Sequence, residues 1–383
     1  MSMYDRKDSK HNKIVLRILT RKWTMRIRKV AIVGTQGVPA QYGGFETLVE
    51  NLIGKFKSNK VEYTVFCSGR DYKKKQKTYM GAKLKYIPFL HANGIQSIPY
   101  DILSLIRCIR GYDTVLLLGV SGGIFIPIFR LFYSKKLIVN IDGREHTRAK
   151  WGFFARSFLK LNEVLAVKYA DDIIADNKGI QDYVTEIYHK PSHLIAYGGD
   201  HAIRDVSEEQ QRGILYKYGL RRHNYALSIC RIEPENNCHV TLDAFAKFGL
   251  PLVFVGNWDY SVYGQRLRWK YGLLSNIKML DPIYDLDVLY TLRKNCKNYI
   301  HGHSCGGTNP SLVEAMFFGC PILAYDVVYN RETTCNKAHY YANDLQLIDY
   351  LGMQNLKGEN MLEVAKKHYM WKDIVRQYEA LYR

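Results

Sequence analysis

Twice along the chain, short apolar runs rich in β-branched residues alternate with longer amphipathic stretches, which confines the fold to parallel strands joined by helical crossovers. In the first half the spacing predicts strands at residues 29–34, 63–67, 83–87, 114–118, 136–141, 172–175 and 194–195, with helices over 45–57 and 153–169. In the second half it predicts strands at 225–230, 251–255, 277–280, 298–300 and 321–324, separated by helices at 240–248, 286–293 and 312–318. At 383 residues the chain is too long for one ordinary core and suits two. A polar run over 200–212 marks the junction. The expected fold class is therefore α/β, with two doubly wound Rossmann-like domains at 29–199 and 200–360 facing across a cleft. Residues 1–28 form a basic extension, and a helical segment at 361–383 is expected to pack across both lobes.

The formal net charge of +19 calls for anionic partners, because such self-repulsion has no use in a neutral metabolic enzyme. Residues 1–30 hold ten Lys/Arg against two Asp. Within them Ile14, Val15, Leu16, Ile18, Leu19 and Trp23 interleave with Arg17, Arg21 and Lys22, a pattern that suits a helix lying on an anionic membrane surface better than a nucleic-acid arm. A solvated tail is the plain alternative. The same three cations interrupt the first apolar stretch, so no secretory signal is read there. Residues 114–133 carry one charge, Arg130, but Gly119, Gly122, Gly123 and Pro127 break the run, so a buried strand, a turn and a short helix are expected rather than a membrane span. The eight cysteines form no C-x-x-C pair and sit in or beside apolar runs, as reduced thiols of a cytoplasmic protein would.

Four segments carry the chemistry. In GTQGVPAQYGGFETLVENL, from Gly34, a strand ends in a glycine loop, and Gly43 and Gly44 offer backbone amides at a helix start to an anion such as a diphosphate. It is neither a G-x-G-x-x-G fingerprint nor a P-loop. In SICRIEPENN, from Ser228, Arg231 is a permanently charged fork suited to phosphate oxygens, unless it forms a surface ion pair with Glu233 or Glu235. In HGHSCGGTNPSLVEAMFFGCPILAYD, from His301, Gly306, Gly307 and Thr308 lead into a helix whose amides suit a second phosphate. Glu314 falls among apolar neighbours on that helix with no partner visible in sequence, free to accept hydroxyls of a nucleotide sugar ring. In NIDGREHTRAKW, from Asn140, the residues Asp142, Glu145, His146, Arg148 and Lys150 gather acid, base and cation in one loop, as an acceptor pocket needs.

With these segments in order, and with DNKGIQDYV, IAYGGDH, VGNWDYSVYG and LDPIYDLDVLY between them, the sequence resembles the retaining glycosyltransferases of family four, which share the GT-B fold. More narrowly it resembles the bacterial rhamnosyltransferase subgroup that builds cell-wall and capsular polysaccharide, over roughly Arg28 to the C-terminus. The resemblance implies an acceptor-side first lobe and a donor-binding second lobe. It makes Asp142 and Arg231 the catalytic residues. Gly43, Gly44, Arg231, Glu235, Asn236, Gly306, Gly307, Thr308 and Asn309 would hold the donor, expected to be dTDP-rhamnose, and Glu314 its ribose. Glu145, His146, Arg148 and Lys150 would meet a lipid-linked saccharide acceptor at the cytoplasmic face of the membrane, where the protein is peripheral.

Departures from the pattern stand out. The broader family has a glutamate where this chain has Gly306 and a lysine where it has Asn236, and the subgroup tends to have tryptophan and lysine near His146 and Thr147. No metal or other cofactor is expected; the one D-x-D, Asp285 and Asp287, reads as a turn and helix start. Retention in this fold is a same-face substitution in which the departing phosphate helps deprotonate the acceptor, so no protein nucleophile is named. A nucleotide-sugar epimerase or phosphorylase of the same bilobal fold is the enzymatic alternative. A nucleic-acid-binding protein rests on charge alone and is not expected.

Overall fold

The computed structural model describes residues 27–40, 43–88, 97–141, 143, 145–148, 151–358 and 360–383. The basic segment read as an interfacial helix lies outside the described residues, as do Asp142 and Lys150.

The sequence RKVAIV makes β1 (Arg28–Val33), and its alternation feeds two cores at once. Val30 and Ile32 enter one core and Ala31 and Val33 the other, so the strand is buried on both faces. Around it lie β2 (Val61–Ser68), β3 (Thr78–Tyr79), β4 (Ala82–Ile87), β5 (Thr114–Leu118), β6 (Lys136–Ile141), β7 (Asp172–Ala175) and β8 (His193–Leu194), in the order β3-β4-β2-β1-β5-β6-β7-β8. All pairs are parallel except β3 with β4. The helices α1 (Gly44–Ile53), α2 (Ser97–Cys108), α3 (Ile126–Phe132), α4 (Phe153–Tyr169) and α5 (Lys178–Tyr188) cover the faces.

The second sheet repeats the plan with β9 (Ala226–Ile229), β10 (Leu252–Val255), β11 (Ile277–Leu280), β12 (Asn298–His301), β13 (Ile322–Tyr325) and β14 (His339–Tyr341). Its order is β11-β10-β9-β12-β13-β14, parallel throughout. Its helices are α6 (Glu208–Lys217), α7 (Cys238–Phe248), α8 (Val262–Tyr271), α9 (Leu286–Asn295), α10 (Pro310–Met316), α11 (Val328–Thr333) and α12 (Asp344–Gly352). Strand order reverses between β1 and β5 in one sheet and between β9 and β12 in the other, which opens a crevice beyond each central strand. The chain ends in α13 (Met361–His368) and α14 (Trp371–Leu381).

Some elements differ from the sequence expectation, each for a local reason. Strand β3 has two residues and β14 reads HYY, so neither carries a β-branched run. Helix α6 arises inside the polar junction because Ser207 and Gln210 form a capping box, although only Gln211 and Leu215 are buried. Helix α1 stops at Ile53, four residues early, where Gly54 turns back to bond the Asn51 carbonyl. The run 114–133 is β5, a 3-10 turn at Gly123–Phe125 and α3, and among the described residues no helix is long and apolar enough to cross a membrane.

The C-terminal segment is two helices with different allegiances. Helix α13 places Met361, Val364 and Ala365 in a core of the second sheet, whereas α14 places Trp371, Ile374, Val375 and Tyr378 in a core of the first. Trp371 locks the crossing: its backbone N–H donates to Asp200 Oδ1 at 2.7 Å and its indole N–H to His201 Nδ1 at 2.8 Å. A Cβ on Gly198 would lie 2.5 Å from the indole. Truncating a buried tryptophan leaves a cavity, so Trp371→Ala should cost about 3–5 kcal/mol, and Gly198→Ala should destabilise by overpacking. Urea unfolding checks both, and an unmoved transition in either variant contradicts this packing.

Candidate active site

Loops following β1, β6 and β7 of the first sheet meet loops following β9 and β12 of the second. Gly143, at φ 96°, approaches so closely that a Cβ on it would lie 2.9 Å from Gly306 Cα. Beyond β7, Asp176 is 1% exposed and accepts the Thr308 N–H at 3.1 Å, while the Thr308 hydroxyl donates to the Asp176 carbonyl. Gly307 is pressed on the same carboxylate, where a Cβ would fall 1.8 Å from Oδ1. Asn177 caps α5 through Gly179 N–H at 2.9 Å, and its Nδ2 donates to the Tyr329 carbonyl and the Thr333 hydroxyl, both at 3.2 Å.

Cations collect beside this seam. Arg148 donates from Nε to Glu145 Oε2 at 2.7 Å, and its Nη1 lies 3.8 Å from both Glu233 Oε2 and Glu235 Oε1. Arg231 Nη1 lies 3.8 Å from the same Glu233 oxygen, so one carboxylate stands between a guanidinium of each lobe. The Arg231 side chain is 37% exposed and thus available to a ligand. Behind it, Asn236 Nδ2 donates to the Arg231 carbonyl at 2.7 Å, which turns Asn236 Oδ1 toward His303 Nδ1, also at 2.7 Å. The imidazole therefore carries its proton on Nδ1 and keeps a lone pair on Nε2. That Nε2 is the atom nearest Gly306, 3.2 Å from where a Cβ would stand. Burial holds His303 well below the ordinary histidine pKa, with His301, Arg231 and Arg148 adding to the effect, and burial alone pushes His301 down to about 3.

The first glycine loop has its own organiser. Glu46, on the first turn of α1, accepts the Thr35 hydroxyl at 2.9 Å and the Gln36 N–H at 2.7 Å. Gly43 takes φ 122°, and a Cβ there would lie 2.1 Å from Glu46 Oε2, so only glycine fits; a Cβ on Gly44 would lie 3.4 Å from Pro310 of the other lobe.

Solved structures share this fold. Sucrose-phosphate synthase from Thermosynechococcus elongatus superposes with a TM-score of 0.79 at 15% identity, covering 93% of this chain and 98% of that one. Anabaena HepE in complex with UDP-glucose gives 0.68 at 14% identity, covering 92% and 98%. The catalytic domain of starch synthase IV from Arabidopsis thaliana, bound to ADP and acarbose, gives 0.67 at 12% identity, covering 93% and 99%. No curated protein matches the chain by sequence. Residues 27–200 match a domain of unknown function, DUF1972, and residues 217–343 match the family described as glycosyl transferases group 1. The two-lobed α/β fold is that of GT-B glycosyltransferase structures, and the group 1 match falls on its second lobe.

Within this fold the expected residues have partners of their own. Glu314 is not alone: it pairs with Arg293 of α9 and, at 3.2 Å, with His201 at the hinge. Sequence gave no hint of this because both partners are remote in the chain. Burial raises the Glu314 pKa, but Arg293 and then His201 outweigh it and leave it below the usual carboxylate value. Two amides of the 306–311 loop also have protein acceptors, since Thr308 N–H goes to Asp176 and Ser311 N–H to Asn309 Oδ1, the cap of α10. In the acceptor loop, His146 Nδ1 lies 3.1 Å from Glu163 Oε2, and Glu145 holds Arg148 and the Trp151 indole. Glu163 is a buried hub shared with Lys160, Tyr183 and Tyr188; a lone acid on the apolar side of α4 was its only signal. Glu46, Asp176 and His303 were likewise missed as site-building groups. Asp285 caps α9 and Asp287 pairs with Arg204, and among the described residues no group of His, Cys, Asp and Glu is placed to hold a metal ion.

The two buried histidines give stability a definite pH dependence. Both folded and unfolded states are neutral above the ordinary histidine value of 6.5. As pH falls below it, the unfolded chain binds protons that the folded one refuses, so each histidine removes about 1.4 kcal/mol per pH unit. Unfolding free energies measured downward from pH 6.5 should show this loss, and His303→Gln should reduce the slope by one proton. An unchanged slope would mean that His303 is protonated in the fold. The Glu314 contribution is lost only further down, as pH drops through the carboxylate range.

Proposed function

We propose that the chain transfers L-rhamnose from dTDP-rhamnose, with retention, to a lipid-linked saccharide during cell-surface polysaccharide synthesis, as a peripheral enzyme of the cytoplasmic membrane face. The observation that carries the donor half of this reading is the convergence of Arg231 and Arg148 on Glu233 where the two lobes meet. An anionic diphosphate entering there competes with that carboxylate for two guanidiniums, and Asn236 holds the Arg231 backbone in place through its carbonyl. The group 1 family match and the nucleotide or nucleotide sugar carried by HepE and starch synthase IV support a nucleotide-sugar donor. The choice of rhamnose and of a lipid-linked acceptor rests on the motif resemblance.

In this proposal Arg231 neutralises the leaving diphosphate, Gly306 and Gly307 give the donor room, Glu314 faces its ribose, and the loop of Asp142, Glu145, His146, Arg148 and Lys150 receives the acceptor. Neutral His303 offers an acceptor lone pair beside Gly306, where it can take a hydrogen bond from a sugar hydroxyl. No protein nucleophile is needed: the acceptor hydroxyl attacks the anomeric carbon as the bond to the diphosphate breaks, and the departing phosphate oxygen takes the hydroxyl proton.

The deciding experiment is incubation with a panel of nucleotide sugars, with slow donor hydrolysis and the anomeric configuration of any transferred sugar as readouts. dTDP-rhamnose should be turned over fastest, and release of an epimerised nucleotide sugar without acceptor would establish an epimerase instead. Arg231→Ala should lower turnover about 10- to 150-fold, the loss of charge-assisted hydrogen bonds amounting to about 1.5–3 kcal/mol; an unchanged rate in the folded variant refutes the assignment. Activity should persist in excess chelator. Loss restored by magnesium or manganese would overturn the metal-free mechanism.

A further inference from the structure

Helices α3 and α4 carry a surface that the fold does not cover. On α3, Ile126 and Phe129 are buried while Ile128, Leu131 and Phe132 are 50%, 79% and 65% exposed. On α4, Asn162, Glu163, Ala166 and Val167 face inward, and Phe153, Phe154 and Leu161 are 78%, 87% and 46% exposed. The two helices pack side by side, joined where the Ile124 N–H donates to Asn162 Oδ1 at 2.8 Å and where Arg130 pairs with Asp171 at 2.6 Å. An apolar surface this concentrated marks an interaction site rather than scattered exposure.

Charge identifies the partner. From Gly122 to Ala170 there are nine Lys/Arg against three Asp/Glu. The one acid on α3 and α4, Glu163, is buried and taken up by Lys160, Tyr183 and Tyr188, so the outward faces of both helices show no carboxylate. Exposed Arg156, Lys168 and Lys135 border the apolar side chains instead. Aromatic and aliphatic tips beside a surplus of cations, with Asp171 and Asp113 already paired to Arg130 and Lys135, match an anionic bilayer, where rings enter the headgroup boundary and cations meet phosphate. A second copy of this basic chain would bring like charge to the same face.

Position agrees with that occupant. Phe153 and Phe154 follow directly on the acceptor loop, whose Arg148 reaches Glu233 and Glu235 across the seam. We infer that the α3–α4 face seats the enzyme on anionic lipid, apolar side chains inserted, with the acceptor loop turned toward the membrane. This rests on the lipid-linked acceptor of the proposed function for its purpose, though not for the binding itself.

The test is co-sedimentation of the full chain with phosphatidylcholine vesicles, with and without phosphatidylglycerol, at low and high salt and with no acceptor present. Leu131→Ser with Phe132→Ser, and Phe153→Ser with Phe154→Ser, should each weaken partition onto anionic vesicles about tenfold or more. Donor hydrolysis and transfer to a water-soluble acceptor should be unchanged in both. Deleting residues 2–25 should weaken the salt-sensitive part and leave a salt-resistant remainder. Wild-type partition in both double variants, or complete loss of binding on the deletion alone, overturns the assignment. So does a lipid-free dimer that the double variants dissociate, since the face is then a contact between copies. Because the vesicles hold no acceptor, a wrong acceptor leaves partition intact, and a wrong surface leaves soluble-acceptor transfer intact.

Discussion

One buried carboxylate sets the relation between the two sheets. Asp176, at the end of β7, holds the 306–308 loop of the other lobe by accepting the Thr308 amide and leaving only enough room for Gly307. A buried carboxylate needs such donors, and a loop of consecutive amides needs such an acceptor, so each side satisfies the other. With that contact in place Gly143 comes to rest on Gly306, Arg148 reaches Glu233 and Glu235, and the cations of both lobes share one anionic counterpart. The seam thereby brings groups from five loops to one place, although none of those loops is adjacent in sequence to its partner.

The architecture was legible because period carries it. Strands such as β5, β6, β7 and β11 fall where apolar β-branched runs predict them, and helix α4 is delimited by its amphipathic span alone. The placement of the glycine loops and Arg231 beyond strand ends was legible for a different reason, since the carboxyl ends of strands in such a sheet open on the crevice. Local partnership was legible where Arg231 lies beside Glu233, but long-range partnership was not. Nothing near Glu314 in sequence announces Arg293 or His201, and the acceptor-loop His146 looks free until the fold brings Glu163 beneath it. Long-range ion pairs are set by tertiary placement, which local pattern does not encode. The same applies to Glu46, which is an ordinary helix-start acid by sequence and a buried loop anchor in the fold.

Gly306 and Asn236 are separate anomalies by sequence and a single feature in space. His303 bonds Asn236 through one ring nitrogen and lies against Gly306 with the other. A glutamate at 306 would have to occupy the ground of that imidazole, and a lysine at 236 would offer its Nδ1 a donor in place of the acceptor it needs. The replacements are mutually consistent around a neutral histidine, which exchanges a charged pair for a polar, uncharged lining beside the glycine loop.

Helix α14 belongs to the first lobe although the whole second lobe precedes it in sequence. Trp371, Ile374, Val375 and Tyr378 complete the core that Val30 and Ile32 begin, and the Tyr378 hydroxyl accepts from Asn140 of β6 at 2.7 Å. While the chain is being synthesised, that face of the first sheet has no cover until residues 371–381 emerge, long after the sheet itself could have formed. The first lobe is therefore completed only after the second has been made, and its apolar face stays exposed to other chains throughout that interval. Loss of α14 would be felt in the first lobe, in the solubility of the nascent protein rather than in its chemistry.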